Sequence, residues 1–132
     1  MTVTPATATV GSAGTVQFGT LVSNTSNVAV TWSASLGTIS QTGLYQAPTV
    51  SSNTTATVTA TSAADPTKSG TASVTIMPPP LSLTTTSVSS ATAGTLYSSS
   101  LSASGGTAPL TWTLASGALP SGIVLQPSGS LS

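Results

Sequence analysis

Short stretches in which apolar residues alternate with threonine or serine recur along most of this chain. Ala56, Val58 and Ala60 alternate with Thr55, Thr57, Thr59 and Thr61, and Ala72, Val74 and Ile76 alternate with Thr71, Ser73 and Thr75. Val28, Val30 and Trp32 do the same with Ala29 and Thr31 between them. Within Thr15–Ser23, Val16, Phe18 and Val22 share one period-2 face, although Thr20 interrupts it and Leu21 points the other way. Successive strand side chains point to opposite faces, so this alternation puts one face on a core and the other in water. Turn-prone stretches separate the segments: Asn24–Asn27, Gly37, Thr42-Gly43, Pro48 and Ala64-Asp65-Pro66. The helix formers Glu, Lys, Arg and Gln are nearly absent, while β-branched Thr and Val recur. The pattern predicts an all-β chain of antiparallel β-sandwich type, with many short strands.

The pattern also repeats. After Met77-Pro78-Pro79-Pro80, Ala13-Gly14-Thr15-Val16 reappears as Ala93-Gly94-Thr95-Leu96, and Val30-Thr31-Trp32 as Leu110-Thr111-Trp112. Gly37 maps to Gly117, Leu21 to Leu101 and Val3-Thr4 to Leu83-Thr84, all at an offset of 80 residues. Matches at one offset point to tandem modules. Consecutive prolines cannot donate ladder hydrogen bonds and favour an extended spacer. The expected organisation is a first domain over residues 1–76, a proline linker over 77–80, and a partial second domain over 81–132. At that offset the second module lacks the counterpart of residues 54–76, which hold the two most regular strands of the first. It is expected to expose an apolar face and open edges unless other residues complete it, so the chain is expected to be a fragment or to receive those strands from another chain.

Composition narrows the chemistry. Serine and threonine supply 52 of 132 residues, the charged residues are Asp65 and Lys68, and there is no His, Cys, Glu or Arg. Proton-transfer catalysis needs groups that titrate near the working pH, and one Asp and one Lys cannot supply an acid, a base and an orienting partner. Transition-metal sites need clustered His, Cys or carboxylate ligands, and calcium sites need several oxygen ligands, usually with more than one carboxylate. Nucleic-acid binding needs several cations against phosphate. The sequence therefore predicts no enzyme, with no catalytic, cofactor-binding or metal-binding residues, no cofactor and no nucleic-acid partner. The absence of cysteine leaves the redox compartment open. No apolar run reaches the roughly 18 residues of a membrane span, and Met1–Pro5 lacks the basic start and apolar stretch of a secretion signal. Disorder is disfavoured, because 38% of residues are hydrophobic and a core can be buried.

Residues 2–76 resemble a bacterial immunoglobulin-like domain of the group-2 type. The resemblance rests on Val3-Thr4-Pro5, Gly14–Phe18, Val30–Ser33, Gly37–Ser40, Gly43-Leu44-Tyr45, Ala56–Thr61 and Gly70–Ile76. Residues 81–132 are similar to the related putative-Ig family through Gly94–Tyr97, Ser104–Trp112 and Leu119–Ile123. The resemblance implies tandem immunoglobulin-like sandwiches, the second incomplete, in an extracellular or cell-surface bacterial protein. It carries no catalytic residues, since such modules space and display other domains.

Several residues are candidates for more than packing. Trp32 and Trp112 could stack on sugars, but both fall on the apolar face of their strands and are assigned to the core. Tyr45 and Tyr97 are the rings nearer the surface, each expected half-buried and anchored through its hydroxyl. Asp65 and Lys68 flank Pro66-Thr67, which suggests a turn with an exposed ion pair. Asn24-Thr25-Ser26 and Asn53-Thr54-Thr55 fit the N-glycosylation pattern and are assigned to loops as turn residues. Three functions compete: a structural spacer or display module partnered by neighbouring modules, a filament subunit completed by strand donation between identical subunits, and an adhesive, glycan-binding module.

Overall fold

A computed structural model of the chain describes residues 1–132, which form two compact units, Met1–Pro79 and Pro80–Ser132. Both are built from strands and turns alone.

The first unit holds β1 (Thr2–Thr4), β2 (Thr7–Gly11), β3 (Thr15–Gln17), β4 (Gly19–Leu21), β5 (Val30–Ala34), β6 (Thr38–Ile39), β7 (Leu44–Gln46), β8 (Thr54–Ser62) and β9 (Ser69–Met77). Its main sheet runs in the order β2-β9-β8-β5; a second sheet is β3-β7-β6, and β1 pairs with β4. The β8–β9 hairpin is the spine of the unit. Its register, Ala56↔Val74 and Val58↔Ala72, puts the small and branched apolar residues of both strands on one face. Ala56, Val58, Ala60, Ala72, Val74 and Ile76 are all buried there, six of the ten residues of the core. The intervening threonines and serines, Thr55 to Thr61 and Thr71 to Thr75, are exposed or half-buried on the opposite face. Facing this hairpin are Val3 of β1, Phe18, Tyr45 of β7 and Ala47.

Four features depart from the expected plan. The single strand expected over Thr15–Ser23 is broken at Phe18: β3 pairs with β7, whereas β4 turns to pair with β1. At the break the Phe18 N–H donates to the Gly43 carbonyl at 2.9 Å and its ring is buried. The second departure is a parallel pairing where an antiparallel sheet was expected. β2 lies parallel to β9 from Thr7↔Ser73 to Gly11↔Met77, and the Ser12 N–H closes the ladder onto the Met77 carbonyl at 2.8 Å. Met77, assigned to the linker by sequence, is thus the last residue of β9. Val28 also leaves its expected strand and is exposed in the loop before β5, where Asn27 Oδ1 accepts the Ala29 N–H at 3.1 Å.

The second unit has four two-residue strands: β10 (Ser82–Leu83), β11 (Ser99–Ser100), β12 (Ala103–Ser104) and β13 (Ser130–Leu131). Their pairings reproduce a subset of those in the first unit. Leu83↔Ala103 in β10–β12 answers Val3↔Thr20 in β1–β4. Ser99↔Leu131 in β11–β13 answers Val16↔Tyr45 in β3–β7. The bridge Leu125↔Leu131 answers Ile39↔Tyr45. The Leu101 N–H donates to the Gly129 carbonyl at 2.8 Å as Phe18 donates to Gly43, and the Gln126 and Gly129 N–H groups repeat the turn made by Ser40 and Gly43. These correspondences correct the constant offset of 80. The offset is 80 at β10, 83 at β11 and β12, and 86 at β13, so the partner of Leu101 in the first unit is Phe18 and not Leu21.

Candidate functional site

Among the rings of the first unit, the structure reverses the expected order, whereas Tyr97 of the second unit is half-buried and anchored through its hydroxyl as expected. Tyr45, expected half-buried, is fully enclosed, and its hydroxyl donates to the Leu36 carbonyl at 2.9 Å. Burial pushes that hydroxyl's pKa above its ordinary value, because the phenolate would lose its water. Trp32 of β5 is half-buried. Its ring sits 6.4 Å from that of Phe18, and Phe18 in turn meets Tyr45 edge-on at the same centroid distance. Such pairs are worth roughly 0.5–1.5 kcal/mol beyond their area. The three rings form one packed row, with Phe18 at its centre. In the second unit Tyr97 is half-buried and donates to the Ser89 carbonyl at 2.9 Å, while Trp112 is half-buried as well.

One geometric element ties the tryptophans to the turns opposite them. Gly43 follows the Ser40–Thr42 turn with φ of +81°, and its α-hydrogen faces the Phe18 carbonyl oxygen and the Trp32 ring. Gly129 repeats this arrangement with φ of +91°. A β-carbon there would lie 2.8 Å from the Leu101 carbonyl oxygen and 2.8 Å from Trp112 Nε1. Glycine alone reaches this conformation without steric cost while letting strand backbone and indole approach so closely. Neither glycine's packing role was legible from sequence, where Thr42-Gly43 registers only as a turn.

The two charged residues lie in the turn between β8 and β9. Instead of pairing with Lys68, the Asp65 carboxylate accepts the Thr67 N–H at 3.0 Å and the Thr67 hydroxyl at 2.6 Å. Those bonds from Thr67 hold its pKa below the ordinary carboxylate value, and the Lys68 charge contributes least. The arrangement is a local turn closure by a short polar side chain. Both residues border a cleft of about 330 Å³, shared with Met1, Val22 and Asn24. Asn24 is exposed in a turn with φ of +63°. Asn53 is exposed beside β8, and the following Thr54 and Thr55 belong to that strand and not to a loop. A larger cleft of about 510 Å³ in the second unit is lined by residues such as Ala91, Leu96, Tyr97 and Ile123. Hydroxyls, aliphatic carbons and one phenol offer shape and weak hydrogen bonding there, but no general base.

Several apolar side chains of the second unit are exposed. Leu83 is 60% exposed where its counterpart Val3 is 6% exposed, and Leu114 is 49% exposed. Residues 110–115 form no strand, although Leu110, Trp112 and Leu114 alternate with Thr111 and Thr113 as Val30, Trp32 and Ala34 alternate with Thr31 and Ser33 in β5. No helix is long and apolar enough to cross a membrane. No protein-family model matches the chain, and no curated protein matches its sequence.

Proposed function

We propose that the two units are copies of one immunoglobulin-like sandwich module and that the chain is a non-catalytic spacer or display element of an extracellular or cell-surface repeat protein. The observation that carries this reading is the parallel pairing of β2 with β9. These are the early and final strands of the first unit. A load pulling residues 1 and 77 apart draws them along each other, so the hydrogen bonds from Thr7↔Ser73 to Gly11↔Met77 are sheared together. In an antiparallel pair of terminal strands the bonds would open one at a time. The composition supports the same reading. A surface of threonine and serine hydroxyls with two charged residues holds its properties across salt and pH, because there is little charge to screen or titrate.

Force spectroscopy on the chain, held at both ends between marker domains, tests this directly. The first unit should extend in one abrupt event. The roughly 70 residues from Thr7 to Met77, at roughly 3.3–3.6 Å each, give a contour gain of about 240 Å before the folded length is subtracted. Gradual lengthening without a force peak would remove the mechanical argument and leave a spacer role without its main support.

A further inference from the structure

We infer that the outer edge of β5 is a homotypic docking surface, on which the β5 strands of two copies of this chain pair antiparallel about a two-fold axis at Trp32. The edge belongs wholly to the first unit. β5 ends the sheet β2-β9-β8-β5, and the next element, β6, goes to the other sheet. The bonds to β8 show which groups point outward. The Ala63 N–H donates to the Ala29 carbonyl and the Ser35 N–H to the Thr57 carbonyl, both at 2.9 Å. These bonds continue the register Thr31↔Thr61 and Ser33↔Thr59. Backbone bonding alternates along an antiparallel strand, so Thr31 and Ser33 bond β8, while Val30, Trp32 and Ala34 turn their N–H and C=O groups away from it. No other strand pairs with these three residues.

The occupant follows from what the edge carries and what it lacks. Soluble proteins block exposed edges with charges, lysine above all, or with proline; residues 24–47 contain no Asp, Glu, Lys, Arg or Pro. The strand's own copy is the complementary partner. Centred on Trp32, an antiparallel copy sets Trp32 opposite Trp32, and Val30 of each chain opposite Ala34 of the other. Each such pair exchanges two backbone bonds. Continuing the register brings Val28 alongside Leu36, which are 62% and 36% exposed in the single chain, so that each shields the other. On the opposite face Thr31 meets Ser33, both exposed, as a cross-strand hydroxyl pair. Apolar side chain thus meets apolar side chain and hydroxyl meets hydroxyl. A two-fold axis satisfies both copies with one surface, and the two main sheets become one.

Sedimentation velocity over a concentration series tests the pairing on the full chain with Trp112→Phe, which leaves Trp32 as the sole tryptophan. The chain should pass from monomer to dimer, with Trp32 emission shifting to shorter wavelength over the same range. Amide exchange at Val30, Trp32 and Ala34 should slow in the dimer, while Thr31 and Ser33, already bonded to β8, change far less. Two double variants test the register. Thr31→Lys with Ser33→Lys, and Thr31→Glu with Ser33→Glu, each set like charges opposite one another and should weaken self-association about tenfold or more. Mixed in equal amounts they should form a heterodimer, and that rescue shows both to be folded. The proposal fails if the chain stays monomeric up to its solubility limit, or if it dimerises with exchange at Val30, Trp32 and Ala34 unchanged. It also fails if either charged variant dimerises alone as the parent does, or if both melt like the parent and their mixture stays monomeric.

Discussion

Gly43→Ala isolates the contact between the turn after β6 and the aromatic row. Two costs add. A residue bearing a β-carbon at φ of +81° loses roughly 1–2 kcal/mol relative to glycine. The new methyl also meets the Phe18 carbonyl oxygen inside contact distance and the Trp32 ring at 3.1 Å. That oxygen cannot retreat easily. It accepts from Gln17 Nε2 at 2.8 Å, the Phe18 N–H is bonded back to Gly43, and the Phe18 ring is held between Trp32 and Tyr45. Forcing an extra methyl into a packed site costs roughly 1–3 kcal/mol, so the total is about 2–5 kcal/mol. A unit of 79 residues is stable by roughly 4–12 kcal/mol at about 0.05–0.15 kcal/mol per residue. At roughly 4–8 °C per kcal/mol for a domain of this size, the melting midpoint should fall by about 10 °C or more. The assay is thermal melting followed by Trp32 fluorescence in a Trp112→Phe background. Gly19→Ala is the control: its β-carbon meets nothing within 4 Å, and its midpoint should hold or rise slightly. If Gly43→Ala melts with Gly19→Ala, the close approach is wrong and so is the argument built on its repetition at Gly129.

Tyr45→Phe should destabilise the first unit by about 1 kcal/mol, the net worth of one buried hydrogen bond. Because the folded pKa of Tyr45 is raised, its stability contribution is complete below the unfolded value near ~10 and is lost as pH climbs through the folded value. Urea midpoints should therefore fall above that pH in the parent and stay flatter in Tyr45→Phe. Asp65 has the opposite sign: its lowered pKa gives a contribution complete above the unfolded carboxylate value near ~3.9 and lost as pH falls through the lower folded value. Thr67→Val should weaken that acid dependence, whereas Lys68→Met should leave it almost unchanged in the same melts. Val58→Ala, which removes two buried methyl groups, should cost the first unit about 2 kcal/mol in chemical denaturation. Leu114→Ala, half-exposed in the second unit, should stay within about 0.5 kcal/mol.

What the sequence could show and what it could not divide along one physical line. Alternation reports which way a side chain points, and it located β8, β9 and the start of β5 because each has one face in water and one on the core. It does not report which strand lies alongside. Phe18 was placed on the buried face correctly, yet the change of partner around it, from β7 to β1, leaves no mark in a period-2 pattern. β2 was missed altogether: Ala8 and Val10 alternate with Thr7 and Thr9, but two modest apolar residues give a weak signal, and the parallel partner is over 60 residues away. Tyr45 and Trp32 exchanged their expected depths for a related reason. Depth depends on what stands opposite, and Tyr45 faces the middle of the β8–β9 hairpin whereas Trp32 lies in the outermost strand of its sheet.

Residue matches at an offset of 80 suggest a repeat, but shared hydrogen bonds define equivalence more strictly than matching letters do. By that criterion the loops change length in three places: the chain gains residues before β11, loses them between β12 and Leu110, and gains them again between Trp112 and Leu125, all in loops, where length changes closure entropy only slowly. The paired strands and the glycine–indole contact are kept in register. A scheme that varies its loops and keeps these contacts constrains the remaining strands as well. Leu83, Leu101, Trp112 and Leu131 stand at the positions of Val3, Phe18, Trp32 and Tyr45, residues that in the first unit are held against the β8–β9 hairpin or beside it.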